Sequence, residues 1–192
     1  APSGKQFYLN WRAAETNQGS SLVSLGKSAL GTNFKWGGIP QVGWNRSNSV
    51  IGIMATEDNT VVKISGYNPS CTFSKYVNGA LSTIAITDDS LTINLNAFET
   101  YTLESYATTN GSVNLSGWLG ANISSNKNIA VNQGHIFLSI ANGDYSMTQL
   151  APTTKIGKEY VLIRGVGLDY SEFPIVIATK DNTNIYLNDE LT

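Results

Sequence analysis

The chain has 192 residues and a mass of 20.7 kDa, with 41% hydrophobic but only 14% charged residues and a formal net charge of -2. The length suits one domain with room for a sizeable core, and the charged fraction falls well below the roughly 25% of ordinary soluble domains. The missing basic excess argues against nucleic-acid binding, and no apolar run reaches the ~18 residues that a membrane-spanning helix needs.

In chain order, short β-branched and apolar runs predict strands over 5–11, 49–55, 61–65, 91–95, 99–105, 128–133, 158–164, 175–178 and 184–187. Leu91-Thr-Ile-Asn-Leu95 and Tyr101-Thr-Leu-Glu-Ser105 alternate with period two, the pattern of a half-buried strand. The runs at 50–55 and 129–131 are apolar at nearly every position, so they belong in the middle of a sheet. Asn78-Gly79, Asn110-Gly111 and Asn142-Gly143 supply tight turns. A short helix or 3-10 turn is expected near 13–20 or 26–30. Turns this closely spaced point to an all-β chain of sandwich type.

The sequence also repeats. Ala55-Thr-Glu-Asp-Asn-Thr60 returns as Ala178-Thr-Lys-Asp-Asn-Thr183, and Leu30-Gly-Thr-Asn-Phe34 returns as Ile156-Gly-Lys-Glu-Tyr160, about 125 residues on. Pro2-Ser-Gly-Lys-Gln-Phe-Tyr-Leu-Asn10 aligns with Ser124-Ser-Asn-Lys-Asn-Ile-Ala-Val-Asn132. The expectation is a set of β-sandwich-like tandem units, one complete and two partial. The end of a preceding unit covers 1–30, a complete unit 31–156, and the start of a following unit 157–192. A partial unit needs a neighbour, so the chain reads as part of a longer protein.

Candidates for chemistry are few. Cys71 and His135 are the only residues of their types, which excludes an internal disulfide and a Cys/His zinc site. Glu57, Asp58 and Asn59 offer oxygens to calcium, but the same residues make an ordinary turn, and Lys180 replaces Glu57 in the second copy. Adjacent carboxylates such as Asp88-Asp89 diverge into water, and no nucleophile elbow, phosphate loop or zinc-protease motif is present. No catalytic residue, metal or cofactor is therefore assigned, and His135 reads as a loop residue rather than a base. Trp36-Gly-Gly-Ile-Pro-Gln-Val-Gly-Trp44 is a Gly-rich loop with an indole at each end. Trp36, Trp44 and Trp118 are candidate platforms for surface glycans, against the alternative that Trp11 and Trp36 pack in the core. Cys71 reads as a small packed residue.

Leu30-Gly-Thr-Asn-Phe34, Met54-Ala-Thr-Glu-Asp-Asn-Thr60, Leu95-Asn-Ala-Phe-Glu-Thr-Tyr101, the run from Leu119 to Val131, Gln149-Leu-Ala-Pro152 and Gly157-Lys-Glu-Tyr160 occur in the order of a known family. The chain resembles the IgGFc-binding-protein-type N-terminal domain over nearly all its length. It is most similar to the version found in large gliding-motility and surface-adhesin proteins of Bacteroidota, which includes a segment like Gln18-Gly-Ser-Ser-Leu-Val-Ser-Leu-Gly-Lys-Ser-Ala-Leu-Gly-Thr32. The resemblance implies a non-catalytic extracellular module of an outer-membrane-associated adhesin exported by the type IX secretion system. The implied partners are the secretion translocon and neighbouring domains of the same chain, with surface glycans under the alternative reading of a carbohydrate-binding module. Asp89-Ser90-Leu91 matches the short O-glycosylation pattern of that phylum, which makes Ser90 a candidate acceptor. Asn128 and Phe98 depart from the family's usual Pro and Gly.

Overall fold

A computed structural model describes residues 9–15, 18–40, 47–77, 80–84, 89–109, 111–136, 146–163, 165–166 and 174–191. Alternating side chains separated by Asn, Asp and Gly make strands throughout, and the described residues contain no α-helix. In order these are β1 (Asn10–Glu15), β2 (Gln18–Val23), a 3-10 turn (Gly26–Ala29), β3 (Gly31–Lys35), β4 (Ser47–Ala55), β5 (Thr60–Ser65), β6 (Phe73–Val77), β7 (Ala80–Ile84), β8 (Ser90–Leu95) and β9 (Thr100–Ala107). A second 3-10 turn (Val113–Leu115) leads to β10 (Asn122–Ile136), β11 (Ser146–Gln149), β12 (Tyr186–Leu187) and β13 (Glu190–Leu191).

Nine strands form one sheet in the order β7-β6-β9-β4-β10-β5-β8, with β3 and β11 also paired to β10. β10 is the hub. Its first residues lie between β3 and β5, with Asn122 opposite both Lys35 and Ser65. From Ile129 onward it lies between β4 and β11. The register shifts between Ser124 and Ile129. That irregularity bends the strand, so one chain segment serves both arms of a curled sheet.

The inward stripe of each arm supplies the core. Ile51, Ile53 and Ala55 of β4, Val62 and Ile64 of β5, Ile93 and Leu95 of β8, Leu103 of β9, and Ile123, Ile129 and Val131 of β10 join one buried cluster. In β5 the alternation is complete: Thr60, Val62 and Ile64 are buried, and Val61 and Lys63 are exposed. One end of the core is aromatic. Trp36 lies 5.2 Å from Trp118 and 5.6 Å from Phe73, and Tyr67 meets Phe73 edge-on at 4.9 Å. Both indole N–H groups are satisfied: Trp36 Nε1 donates to Ser49 Oγ at 3.0 Å and Trp118 Nε1 donates to the Asn114 carbonyl at 2.9 Å.

The corner between β4 and β5 is the repeated Glu-Asp-Asn-Thr segment. Asn59 takes the left-handed conformation at φ 54°, as asparagine tolerates. Asn126, Lys127 and Asn128 of β10 clasp it. Val61 N–H donates to Asn126 Oδ1 at 2.8 Å, Lys127 Nζ to the Asp58 carbonyl at 2.6 Å, and Thr56 Oγ1 to the Asn128 carbonyl at 2.7 Å. The second copy forms the same turn: Asn182 has φ 55°, and Thr183 Oγ1 donates to the Lys180 carbonyl at 2.7 Å, as Thr60 Oγ1 does to Glu57.

The short helix or 3-10 turn expected near 13–20 or 26–30 is the 3-10 turn at Gly26–Ala29, while 13–20 falls in the β1–β2 hairpin, in which Ala13 faces Ser20 and Ala14 faces Gly19 across the pair. Two expectations change. The runs at 158–164 and 175–178 are not strands where described, because extended backbone becomes a strand only when another strand satisfies its amides. The run at 184–187 gives only the two-residue β12. Asn78-Gly79, Asn110 and Asn142-Gly143 lie outside the described residues.

Trp36→Ala removes the centre of the aromatic end and leaves Ser49 Oγ without its donor. The expected loss is about 3–5 kcal/mol of stability, read as a lower urea midpoint at unchanged m-value.

Candidate functional site

The outer face of the sheet carries small residues where β4, β9 and β10 run side by side. Asn132 lies opposite Gly52, which lies opposite Thr102, and the next row is Gly134, Val50 and Glu104. The β1–β2 hairpin packs over this face through β2 and β11, and its exit is tied down by Leu25 N–H donating to Gln149 Oε1 at 2.6 Å. Between hairpin and sheet is a cleft of about 320 Å³, with Trp11, Ala13 and Ser20 on one side and Val50, Gly52 and Asn132 on the other. Its depth follows from glycine. A Cβ built on Gly52 meets nothing within 4 Å, so any side chain there would fill open space.

Trp11 is 47% exposed and presents an indole to this cleft. Ser20 Oγ and Asn132 Oδ1 are buried atoms without a hydrogen-bond partner among the described residues. An apolar floor with one aromatic wall and a few polar groups is the usual form of a small-ligand site. Beside it, in the row of Val50, Glu104 is buried on β9 and its Oε1 accepts from Asn48 Nδ2.

The opposite face of β10 grips the loop that follows β3. Gly37 N–H donates to Gln133 Oε1 and Ile39 N–H donates to His135 Nε2, both at 2.9 Å. Gly38 permits the approach, since at φ 123° a Cβ there would come within 2.5 Å of His135 Nε2. His135 is thus a strand residue, not a loop residue. It packs 5.7 Å from Trp118, and burial lowers its pKa to about 4. An imidazole that accepts through Nε2 is the neutral tautomer with its proton on Nδ1.

The sequence candidates fall as follows. Trp36 and Trp118 are fully buried against each other and offer no face to a ligand, while Trp44 lies outside the described residues. Trp11, which the core reading included, is the exposed indole among the described residues, and the small Ala13 and Gly-Ser-Ser partners beside it are the sequence sign of a cleft. Glu57, Asp58 and Asn59 form an exposed turn in which Asp58 Oδ1 accepts from Ala97 N–H at 3.0 Å and the backbone carbonyls accept from Thr60 Oγ1, Lys127 Nζ and Asn126 Nδ2. Among the described residues no three His, Cys, Asp or Glu gather as a metal site would require. Ser90 opens β8 opposite Ser65 and is half-buried, next to exposed Asp89. Cys71 is buried, its Sγ 3.6 Å from the Val113 carbonyl, and desolvation raises its pKa, so it is an inert packing thiol.

A profile of the family described as IgGFc binding protein matches residues 20–192, and the chain belongs to this family. No curated protein and no solved structure matches it. The family is one of binding modules, typically extracellular, and is not known for catalysis. No helix among the described residues is long and apolar enough to cross a membrane.

His135 makes stability depend on pH. Its folded pKa lies below the unfolded value of 6.5, so the unfolded chain binds the proton first and stability falls as pH drops from 6.5 towards 4. The loss reaches on the order of 3 kcal/mol at pH 4. His135→Gln keeps an acceptor for Ile39 N–H without a titrating group. Urea melts of both proteins at pH 7, 5.5 and 4 should show a shallower loss in the variant.

Proposed function

We propose that the chain is a non-enzymatic binding module of a large cell-surface adhesin, and that it makes contact through the cleft beneath the β1–β2 hairpin. The cleft carries this reading. It offers an exposed indole, a hydroxyl and an amide oxygen around an apolar floor. Family membership supports a binding role, and the low charge with abundant Ser, Thr and Asn suits an extracellular surface. Outer-membrane association, a part in gliding motility and export by the type IX system rest on the family version that the motifs resemble. The secretion translocon and neighbouring domains of the same chain are the partners of this reading.

A second reading, a carbohydrate-binding module, is favoured by Trp11. An indole face stacks on the C–H face of a sugar ring, and the unpartnered Ser20 Oγ and Asn132 Oδ1 are suited to ring hydroxyls. The Fc target in the family's description is not adopted for this chain, and an Fc fragment serves as a comparison probe.

Two measurements test these readings. Protease applied to intact native cells should remove the protein, and the native species should have an intact mass far above 20.7 kDa. A protected protein of 20.7 kDa would end the adhesin reading. For the second reading, a glycan array with the full chain should show binding that Trp11→Ala weakens at least tenfold, about 1.4 kcal/mol. Absence of any glycan signal, or binding indifferent to Trp11, would end it.

A further inference from the structure

Glycine inside a central strand costs backbone entropy and leaves a gap in the row of side chains, so its place needs a physical reason. For two of the strand glycines that reason is contact. A Cβ on Gly31 would lie 2.4 Å from Pro152 Cβ, and one on Gly134 would lie 2.6 Å from the Ser146 carbonyl oxygen. Gly52 has no such reason. It lies inside β4 with Asn132 on one side and Thr102 on the other, it does not take a positive φ, and a Cβ there would meet nothing within 4 Å. A side chain would fit the backbone and would fill space. What Gly52 keeps is that space, the floor of the cleft beneath the β1–β2 hairpin.

We propose that this space receives one flat aromatic ring carrying a single N–H or O–H donor, an indole or a phenol, either as a free compound or as the side chain of a partner polypeptide. The inference rests on the reading of the cleft as the contact site and names what enters it. Size is the first argument. A dry cavity of about 150 Å³ admits one benzene, so a cleft of about 320 Å³ has room for a bicyclic ring. Surface is the second. Val50, Gly52, Ala13 and Met147 are apolar, and Trp11 adds an indole against which a second ring can stack. The third is the polar complement. Asn132 Oδ1 is buried without a hydrogen-bond partner among the described residues and can only accept, so it requires a donor on the ligand. Ser20 Oγ, also buried and unpartnered, can give or accept a bond at the same ring. A ring with one donor satisfies this pair. A sugar brings several hydroxyls, and those turned to the apolar lining would lose water without replacement.

The test titrates the full 192-residue chain and follows the amide resonances of Gly52 and Gly134. The probes are indole, 1-methylindole, N-acetyltryptophanamide and glucose. Indole should shift both resonances saturably, and 1-methylindole, which keeps the ring but lacks the donor, should bind roughly fivefold more weakly. Gly52→Val puts a strand-favouring side chain into the open space. It should weaken indole binding roughly tenfold or more while the urea midpoint holds or rises, so that lost binding is not lost folding. Asn132→Val should bring indole and 1-methylindole to equal affinity. N-acetyltryptophanamide binding as tightly as indole would assign the ring to a partner's side chain, and binding of indole alone would assign it to a free compound. No saturable shift with indole, or one indifferent to Gly52→Val, would overturn the proposal. Glucose shifting the same resonances where indole does not, and failing to do so in Gly52→Val, would overturn the aromatic ligand and leave the cleft as the contact site.

Discussion

The bend in β10 is the constraint on which the fold depends. A flat strand could join only one arm of the sheet, and the two inward stripes would then face in the same direction with no core between them. The register shift between Ser124 and Ile129 turns the strand, so Ile123 and Val131 contribute to one cluster although each pairs with different neighbours. The Asn126–Lys127–Asn128 segment at the bend does a second job. Its amide, ammonium and carbonyl groups satisfy the β4–β5 corner, where the strand pair also changes arm. Corner and bend are therefore one device, and neither closes without the other.

A chain with few charges must satisfy buried backbone by other means, and here asparagine does much of that work. Asn114 alone donates from Nδ2 to Thr72 Oγ1 and the Tyr106 carbonyl, accepts Thr72 N–H on Oδ1, and accepts Ser105 Oγ and Trp118 Nε1 on its carbonyl. One residue thus ties a 3-10 turn to β9 and to the aromatic end of the core. Neutral amides suit this role because burying them costs far less than burying an ion. Burial holds His135 neutral by the same desolvation cost, and a backbone N–H occupies its Nε2.

Much of the fold was legible where a strand had to be read on its own terms. The runs that became β4, β5, β8, β9 and the later part of β10 announce themselves by period and by β-branching. β6 was not read because Phe73-Ser-Lys-Tyr carries too little alternation to stand out, and β2 was not read because Gly-Ser-Ser is neutral in propensity and gains its strand from pairing with β1. The reverse error occurred at 158–164 and 175–178. There the local pattern is that of a strand, and among the described residues no strand pairs with it, which no local pattern reveals. The site was less legible still. A Trp between small residues can stack in a core or roof a cleft, and Trp11 and Trp36 look alike until the pairing of Gly52 with Asn132 and Thr102 shows which face is hollow.

These observations converge on how a curled sheet divides its labour. The inner face is committed to the core, and the outer face is hollow where glycine and small residues of β4 and β10 lie beneath the hairpin. The same turn forms in both copies: Asn182 and the Thr183 bond make it in the second as Asn59 and Thr60 make it in the first. The turn is therefore local chemistry of asparagine and threonine, while burial of an apolar stripe is set by the strands paired beside it.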